Sequence, residues 1–199
     1  MQDPAHYGEP VLKTPWVISD SYSGWSWHGF EGKPVVVELY APGTEVELFQ
    51  NGISLGRRSA GASVGFITRF ETTYRPGTLL AVAYDGSTEL GRMELSSAGQ
   101  VSAVTLEPEE SQGELVYVNI LLRDEKGLAV TDRDTELTVQ VSGGALAGLG
   151  SGDPRSAYNY NGCVTRTFHG RALAILRRGH GETSISVTTA DGLTRSLTI

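Results

Sequence analysis

Apolar and polar residues alternate with a period of two along most of this chain, a pattern that is typical of β-strands with one buried face. In the first half the alternation predicts five strands, at 35–40, 45–49, 66–72, 79–84 and 90–95. Pairs of turn-forming residues separate them, at Pro42-Gly43, Asn51-Gly52, Pro76-Gly77 and Asp85-Gly86. Because asparagine, aspartate and glycine accept the positive φ angles of tight hairpins, this half predicts a meander or a Greek key.

The second half repeats the pattern and predicts seven short strands, at 101–106, 115–122, 137–141, 164–168, 172–176, 183–188 and 193–199. Seven short strands favour an immunoglobulin-like sandwich. Residues 143–152 contain five glycines, and the stretch that follows to Gly162 is rich in tyrosine and asparagine, so we predict one long loop there. We find no amphipathic helix of ten or more residues, which argues against the alternating strands and helices of a barrel or Rossmann sheet.

A small, polar stretch at 96–100 has no residue that would anchor it in a core, and we place a domain boundary there. The length of 199 residues fits two domains, since domains of about 100 residues are the commonest. The sequence therefore predicts an all-β fold of two tandem immunoglobulin-like β-sandwich domains. We expect a leader over 1–14, a first sandwich over 15–98 and a second over 99–199.

Composition narrows the classes of function. The net charge of −7 and the pI near 5.1 argue against nucleic-acid binding, because phosphate contacts need clustered lysine and arginine and the 16 basic residues here are scattered. The sequence contains no run of about 18 apolar residues, so we predict no membrane-spanning helix. The first residues lack the basic and apolar regions of a signal peptide. Cys163 is the one cysteine, so we expect no intrachain disulfide and a small side chain that is buried or half-buried.

The sequence offers weak candidates for catalysis. Glycoside hydrolysis needs two carboxylates that face each other across the scissile bond. Glu109 and Glu110 lie at a strand end, and Glu45 and Glu47 face one side of an edge-like strand, so we predict solvated surface for both pairs. Ser151 lies between glycines, yet no helix follows it as in a nucleophile elbow. We therefore predict no catalytic residue and no cofactor in this chain.

Metal ligands are also sparse. Asp132 and Asp134, with Asp124 nearby, are the best candidates, but they lack the regular oxygen spacing and the glycine of a dedicated calcium loop. The four histidines are isolated along the sequence, at His6, His28, His169 and His180. Without a His-x-x-x-His or Cys-His spacing we predict no metal site.

Aromatic residues concentrate in one short segment, at Trp16, Tyr22, Trp25, Trp27 and Phe30. If this stretch is extended, the indoles of Trp25 and Trp27 point to one face. Such a pair packs into a core or a sister domain, anchors a partner domain, or stacks on a sugar ring, and the sequence leaves all three open. We name Trp25, Trp27, Tyr22 and His28 as candidates for contact with carbohydrate or with another domain.

Motifs in the first half carry a resemblance to a known family. Residues 25–35 read Trp-x-Trp-x-Gly-Phe-Glu-Gly-Lys-Pro-Val, and residues 45–57 read Glu-Val-Glu-Leu-Phe-x-Asn-Gly-x-Ser-Leu-Gly-Arg. Together with residues 74–84 they resemble the domain that follows the catalytic barrel in many bacterial glycoside hydrolase family 2 enzymes, most of which are β-galactosidases.

The resemblance extends through the second half. Residues 124–127, 148–154 and 168–174 are similar to the terminal immunoglobulin-like domain of the same enzymes. Two positions depart from the family pattern, because His28 stands where proline is usual and Ser151 where asparagine is usual.

The resemblance implies a non-catalytic C-terminal region whose partner is the catalytic barrel of the same polypeptide. Such a barrel takes about 250 residues by itself and does not fit in this chain. The region would support the barrel and shape substrate access. Two alternatives stay open at this point: an independent carbohydrate-binding module that uses Trp25 and Trp27, with a glycan as its partner, and a structural or adhesin-like immunoglobulin tandem.

Overall fold

The computed structural model describes residues 4–10, 19, 21–109 and 113–199. Trp16, Glu110 and residues 1–3 and 11–14 of the predicted leader lie outside these ranges. The described chain is built from β-strands, with short 3-10 helices at Pro4–His6 and Gly61–Val64. It divides into two compact units, Met1–Ser97 and Ala98–Ile199. Within the described ranges, no helix has the length and the apolar character to cross a bilayer.

The first unit contains six strands. They are β1 (Pro34–Tyr40), β2 (Glu45–Gln50), β3 (Ile53–Ser59), β4 (Ile67–Thr73), β5 (Thr78–Asp85) and β6 (Thr88–Ser96). Strands β1 and β4 pair antiparallel in one sheet, and the other sheet has the order β3-β2-β5-β6. A shared core joins the two sheets, with Val35 and Val37 of β1 packed among Val46 and Leu48 of β2.

Alternation and turn chemistry explain this arrangement. Along β2 every second residue is buried, so one face meets the core and the other faces outward. Asn51 and Gly52 join β2 to β3 with φ angles of 51° and 78°, as a two-residue hairpin of the predicted kind requires. The Asn51 side chain then accepts the Thr78 N–H at 2.7 Å, which ties this hairpin to the start of β5.

The second unit contains eight strands. They are β7 (Ala103–Pro108), β8 (Leu115–Arg123), β9 (Glu136–Ser142), β10 (Gly144–Gly150), β11 (Val164–Arg166), β12 (Arg171–Arg178), β13 (Ser184–Thr189) and β14 (Thr194–Thr198). They form two four-stranded sheets, β10-β12-β8-β7 and β11-β9-β13-β14. The buried positions of both sheets share one core, in which Val118, Ala174 and Ile185 are fully enclosed.

A buried carboxylate holds the start of the second unit. Asp124 is 6% exposed and accepts backbone N–H groups from Gly99 at 2.8 Å, Lys126 at 2.9 Å and Leu128 at 2.8 Å. Burial raises the pKa of Asp124, but these hydrogen bonds outweigh it and the pKa lies below its ordinary value. Asp124 thus acts as an ionised clamp on the backbone.

The structure corrects three predictions. The segment predicted as a loop from Gly143 contains strand β10, which the sequence hides because its glycines carry no side chain to alternate. Strand β3 was not predicted, since nearly all of its residues are exposed and only Ile53 and Leu55 in it are apolar. Cys163 is exposed, because it lies immediately before β11, a three-residue strand at the edge of its sheet.

Candidate functional site

Two residues of the predicted aromatic cluster, Trp25 and Trp27, lie in the core of the first unit. Trp25 is 1% exposed and Trp27 is 3% exposed, and neither lies in a strand. Their ring centroids are 5.5 Å apart in an edge-to-face arrangement. Tyr74, which follows β4, completes the cluster at 5.1 Å from Trp25 and 5.3 Å from Trp27. Three aromatic rings thus share edge-to-face contacts, the geometry that their quadrupoles favour.

Hydrogen bonds fix the backbone around these rings. The Trp27 N–H donates to the Tyr74 hydroxyl at 3.1 Å. The Ser97 hydroxyl donates to the Trp25 carbonyl and accepts the Gly77 N–H at 3.1 Å. The last residue of the first unit therefore closes over the cluster, although the indole Nε1–H groups of both tryptophans have no acceptor among the described residues.

The burial of Trp25 and Trp27 shows that their indoles contact the interior of the first unit. Their rings fill the core of their own unit, so neither presents a flat surface to a sugar ring or to another domain. Of the other two candidates, Tyr22 is half-buried, with its ring centroid 6.0 Å from that of Trp27, and it lines a surface groove. His28 is half-buried in the turn that follows Trp27. The structure thus brings Tyr22 to a surface that a partner can reach and keeps the tryptophans behind it.

The groove beside Tyr22 has a volume of about 400 Å³, and we call it the first groove. Strand β1 forms one wall with Val37 and Leu39, and strands β5 and β6 form the floor. The lining from the floor strands consists of Leu79, Ala81, Ala83, Gly91, Arg92, Met93 and Leu95. Met93 is 60% exposed, and Tyr40 at the rim is 57% exposed. The first groove is therefore an apolar surface with large side chains open to solvent.

A fixed carboxylate lies at the rim of the first groove. Glu38 accepts hydrogen bonds from the Ser19 hydroxyl at 2.5 Å, the Tyr40 hydroxyl at 2.9 Å and the Arg69 Nε at 2.7 Å. Burial raises the pKa of Glu38, yet these donors and the Arg69 charge outweigh it and lower the pKa overall. Burial and the neighbouring carboxylate raise the pKa of Tyr40. The network keeps Glu38 ionised and fully occupied as an acceptor.

The other carboxylates singled out in the sequence have structural contacts as well. Glu47 accepts the Ser54 hydroxyl at 2.6 Å and the Arg57 Nε at 3.1 Å, and these contacts lower its pKa. Glu109 accepts the Asn119 amide at 2.8 Å. Asp134 accepts the Gly170 N–H at 3.0 Å. Each acts as a hydrogen-bond acceptor for nearby backbone or side chains.

The described residues include the side chains that the sequence suggested as metal ligands. In the part of the chain that the structure describes, no three His, Cys, Asp or Glu side chains come together as a set that could hold a metal ion. The first groove was not predicted, because the sequence does not show whether another strand covers the inward face of β6. Met93, a large apolar residue in a strand without clear alternation, is the sequence signal for this groove.

Each unit matches a known protein-domain family. Residues 100–198 match the family described as glycoside hydrolase family 2 C-terminal domain 5, and residues 32–91 match a domain of unknown function. Among curated proteins, none matches the chain significantly.

Solved structures give the same picture. A family 2 glycosyl hydrolase from Bacteroides cellulosilyticus has 28% identity and a TM-score of 0.83 over 88% of this chain and 25% of its own. A β-glycosidase from Bacteroides vulgatus has 25% identity and a TM-score of 0.78 over 89% of this chain and 24% of its own. A family 2 β-glucuronidase shares the fold, with a TM-score of 0.74 at 14% identity over 88% of this chain and 19% of its own.

The chain spans about a quarter of the length of the first two structures. The match to the C-terminal family domain and the all-β sandwiches agree with the motifs in both halves. This chain is therefore the C-terminal accessory region of a glycoside hydrolase family 2 protein.

Proposed function

We propose that this chain is a non-catalytic support for a β-galactosidase-type glycosidase, and that its first unit docks on the catalytic barrel of the same polypeptide. The observation that carries the proposal is the first groove, an apolar surface that the described residues leave open. Contiguous apolar surface of this kind, rimmed by polar groups such as Glu38 and Arg92, is typical of protein contacts.

The shape of the first unit supports docking at this groove. Two strands, β1 and β4, pack against a sheet of four, so the inward face of β6 is left uncovered by described residues. Met93 is the residue of β6 that lies opposite Ala81 of β5 on this face. A second protein surface that filled the groove would bury Met93 and Tyr40, and apolar burial contributes roughly 25 cal/mol per Å².

The carboxylates support a structural role. A retaining glycosidase needs a carboxylic acid with a raised pKa to protonate the leaving group. Contacts within the fold lower the pKa of Glu38, Glu47 and Asp124, so these groups stay ionised near neutral pH. A permanently ionised acceptor suits a scaffold rather than a general acid.

Binding between separately produced parts tests the docking. The 199-residue chain is titrated by calorimetry into the barrel-containing part of its parent polypeptide. Met93→Asp places a charge in the first groove and is expected to weaken binding by tenfold or more, about 1.4 kcal/mol. Leu90→Asp is the matched control, because Leu90 lies on the same strand and is 51% exposed but does not line the groove.

The outcomes separate cleanly. Binding that Met93→Asp weakens and Leu90→Asp leaves intact supports docking at the first groove. Absence of binding by the unmodified chain, or an equal loss of binding in both variants, contradicts it.

The assignment to the β-galactosidase type is tested on the intact parent polypeptide. It is expected to hydrolyse an aryl β-galactoside faster than an aryl β-glucuronide, and the reverse preference overturns this assignment.

A further inference from the structure

A second groove lies on the outer face of the β10-β12-β8-β7 sheet and has a volume of about 620 Å³. Its floor is made by Gly148 and Gly150 of β10, which pair with Ile175 and Leu173 of β12. Asn119 of β8 pairs with Leu173 and extends the same row. Because the two glycines have no side chains, the sheet surface is recessed along β10, and the volume falls in the range of about 300–1,000 Å³ typical of small-ligand sites.

An aromatic ring stands over this recess. Tyr160 is 59% exposed, and a Cβ on Gly150 would come 2.6 Å from its Cε1 atom, so the ring rests directly on the glycine backbone. The Leu149 N–H donates to the Tyr160 carbonyl at 2.8 Å, which holds the tyrosine beside β10. The absence of a side chain at Gly150 thus creates the seat for an aromatic ring that solvent still reaches.

Polar groups surround the ring. Asn119 lines the groove and donates its amide N–H to Glu109 at 2.8 Å, which orients the amide. Ser151 and Asn161 contribute neutral hydrogen-bonding groups to the lining, and Arg171 is its one charged residue among those described. The site therefore combines one aromatic surface, a recessed floor and a fringe of mostly neutral donors and acceptors.

We propose that this second groove binds a saccharide, with a pyranose ring against Tyr160 and its hydroxyl groups on Asn119, Asn161 and Arg171. A pyranose presents an apolar C–H face and a rim of hydroxyls, which matches an aromatic surface with polar groups at its edge. The net charge of −7 argues against a nucleic acid in this groove. This inference goes beyond the support role and does not depend on it.

Calorimetric titration of the purified chain tests the site, with galactobiose, cellobiose, chitobiose and digalacturonate as the probes. At least one disaccharide is expected to bind, and Tyr160→Ala is expected to weaken that binding by tenfold or more, about 1.4 kcal/mol. Tyr160→Phe keeps the ring and is expected to stay within about twofold of the unmodified chain. Tyr7→Ala is the matched control, since Tyr7 is 40% exposed and belongs to the first unit but lines neither groove.

A second variant guards against a loss of structure. Gly148→Ala adds a methyl group that meets Ile175 at an ordinary 3.6 Å, so it is expected to fold and to obstruct the floor of the groove. Weaker binding in Tyr160→Ala and Gly148→Ala, with unchanged circular dichroism, supports the proposal. Lack of binding to all four probes, or a loss of binding caused by Tyr7→Ala and not by Tyr160→Ala, overturns it.

Discussion

Replacement of Trp25 by alanine separates a core residue from a ligand platform. Trp25 is 1% exposed and contacts the rings of Trp27 and Tyr74, with centroids at 5.5 and 5.1 Å. Removal of a buried tryptophan side chain costs about 3–5 kcal/mol. At about 4–8 °C per kcal/mol for a domain of this size, the first unit should unfold some 12–40 °C lower.

Trp25→Phe is the milder companion variant. Phenylalanine keeps an aromatic ring against Trp27 and Tyr74 but leaves a cavity. It also removes an indole N–H that has no acceptor among the described residues. Since a buried unsatisfied donor costs about 1–3 kcal/mol, its removal offsets much of the lost packing, and we expect a net cost of at most about 2 kcal/mol.

The chain carries its own reporter for this assay. Trp25 and Trp27 are buried in the first unit and the second unit contains no tryptophan, so tryptophan fluorescence follows the unfolding of the first unit while far-ultraviolet circular dichroism follows both. Trp25→Ala should lower the fluorescence midpoint and leave the transition of the second unit unchanged. A shift below about 4 °C, equivalent to 1 kcal/mol, would refute the assignment of Trp25 to the core.

Other variants probe the contacts that hold each unit. Tyr74→Phe leaves the Trp27 N–H without its acceptor and should destabilise the first unit by about 1–3 kcal/mol in urea unfolding; an unchanged midpoint would argue against the bond. Asp124→Asn puts an amide where a carboxylate oxygen accepts the Gly99 N–H, and it should cost the second unit about 1.5–3 kcal/mol. Because folding lowers the pKa of Asp124, its contribution is present above the ordinary carboxyl pKa of about 3.9 and is lost as the pH falls through the lower folded-state value. Wild type and Asp124→Asn should therefore converge in stability in acid, and a constant difference down to low pH would contradict this. Gly170→Ala would place a Cβ 1.8 Å from the Val130 carbonyl oxygen at a φ of 68°, so thermal unfolding should show a second unit destabilised by about 2–5 kcal/mol; a wild-type midpoint would show that the backbone relaxes freely.

Most of the strands that the sequence predicted have one buried and one solvated face, although β6 and β14 are almost wholly exposed. Strand β2 alternates fully, and its hairpin pair Asn51-Gly52 has the positive φ angles expected from its composition. Strands β3 and β10 escaped prediction for opposite reasons. The side chains of β3 are almost all exposed, whereas β10 has glycines where a pattern would appear. Periodicity is informative only where side chains differ between faces.

The candidate site was harder to predict, because burial depends on distant partners. Trp25 and Trp27 were expected to act as a pair, but the sequence could not show that Tyr74, almost 50 residues away, closes on them. Tyr160 was placed in a loop with no assigned role. Its exposure follows from its seat on Gly150, a contact between a loop and a strand that the sequence did not reveal.

Hydrolysis by the isolated chain tests the central claim most directly. The purified 199-residue chain is incubated with p-nitrophenyl β-galactoside, alongside a buffer blank and a heat-denatured sample of the same preparation. As a non-catalytic accessory region it should release p-nitrophenol no faster than the blank. Turnover that co-purifies with the folded chain and disappears on denaturation would contradict the account.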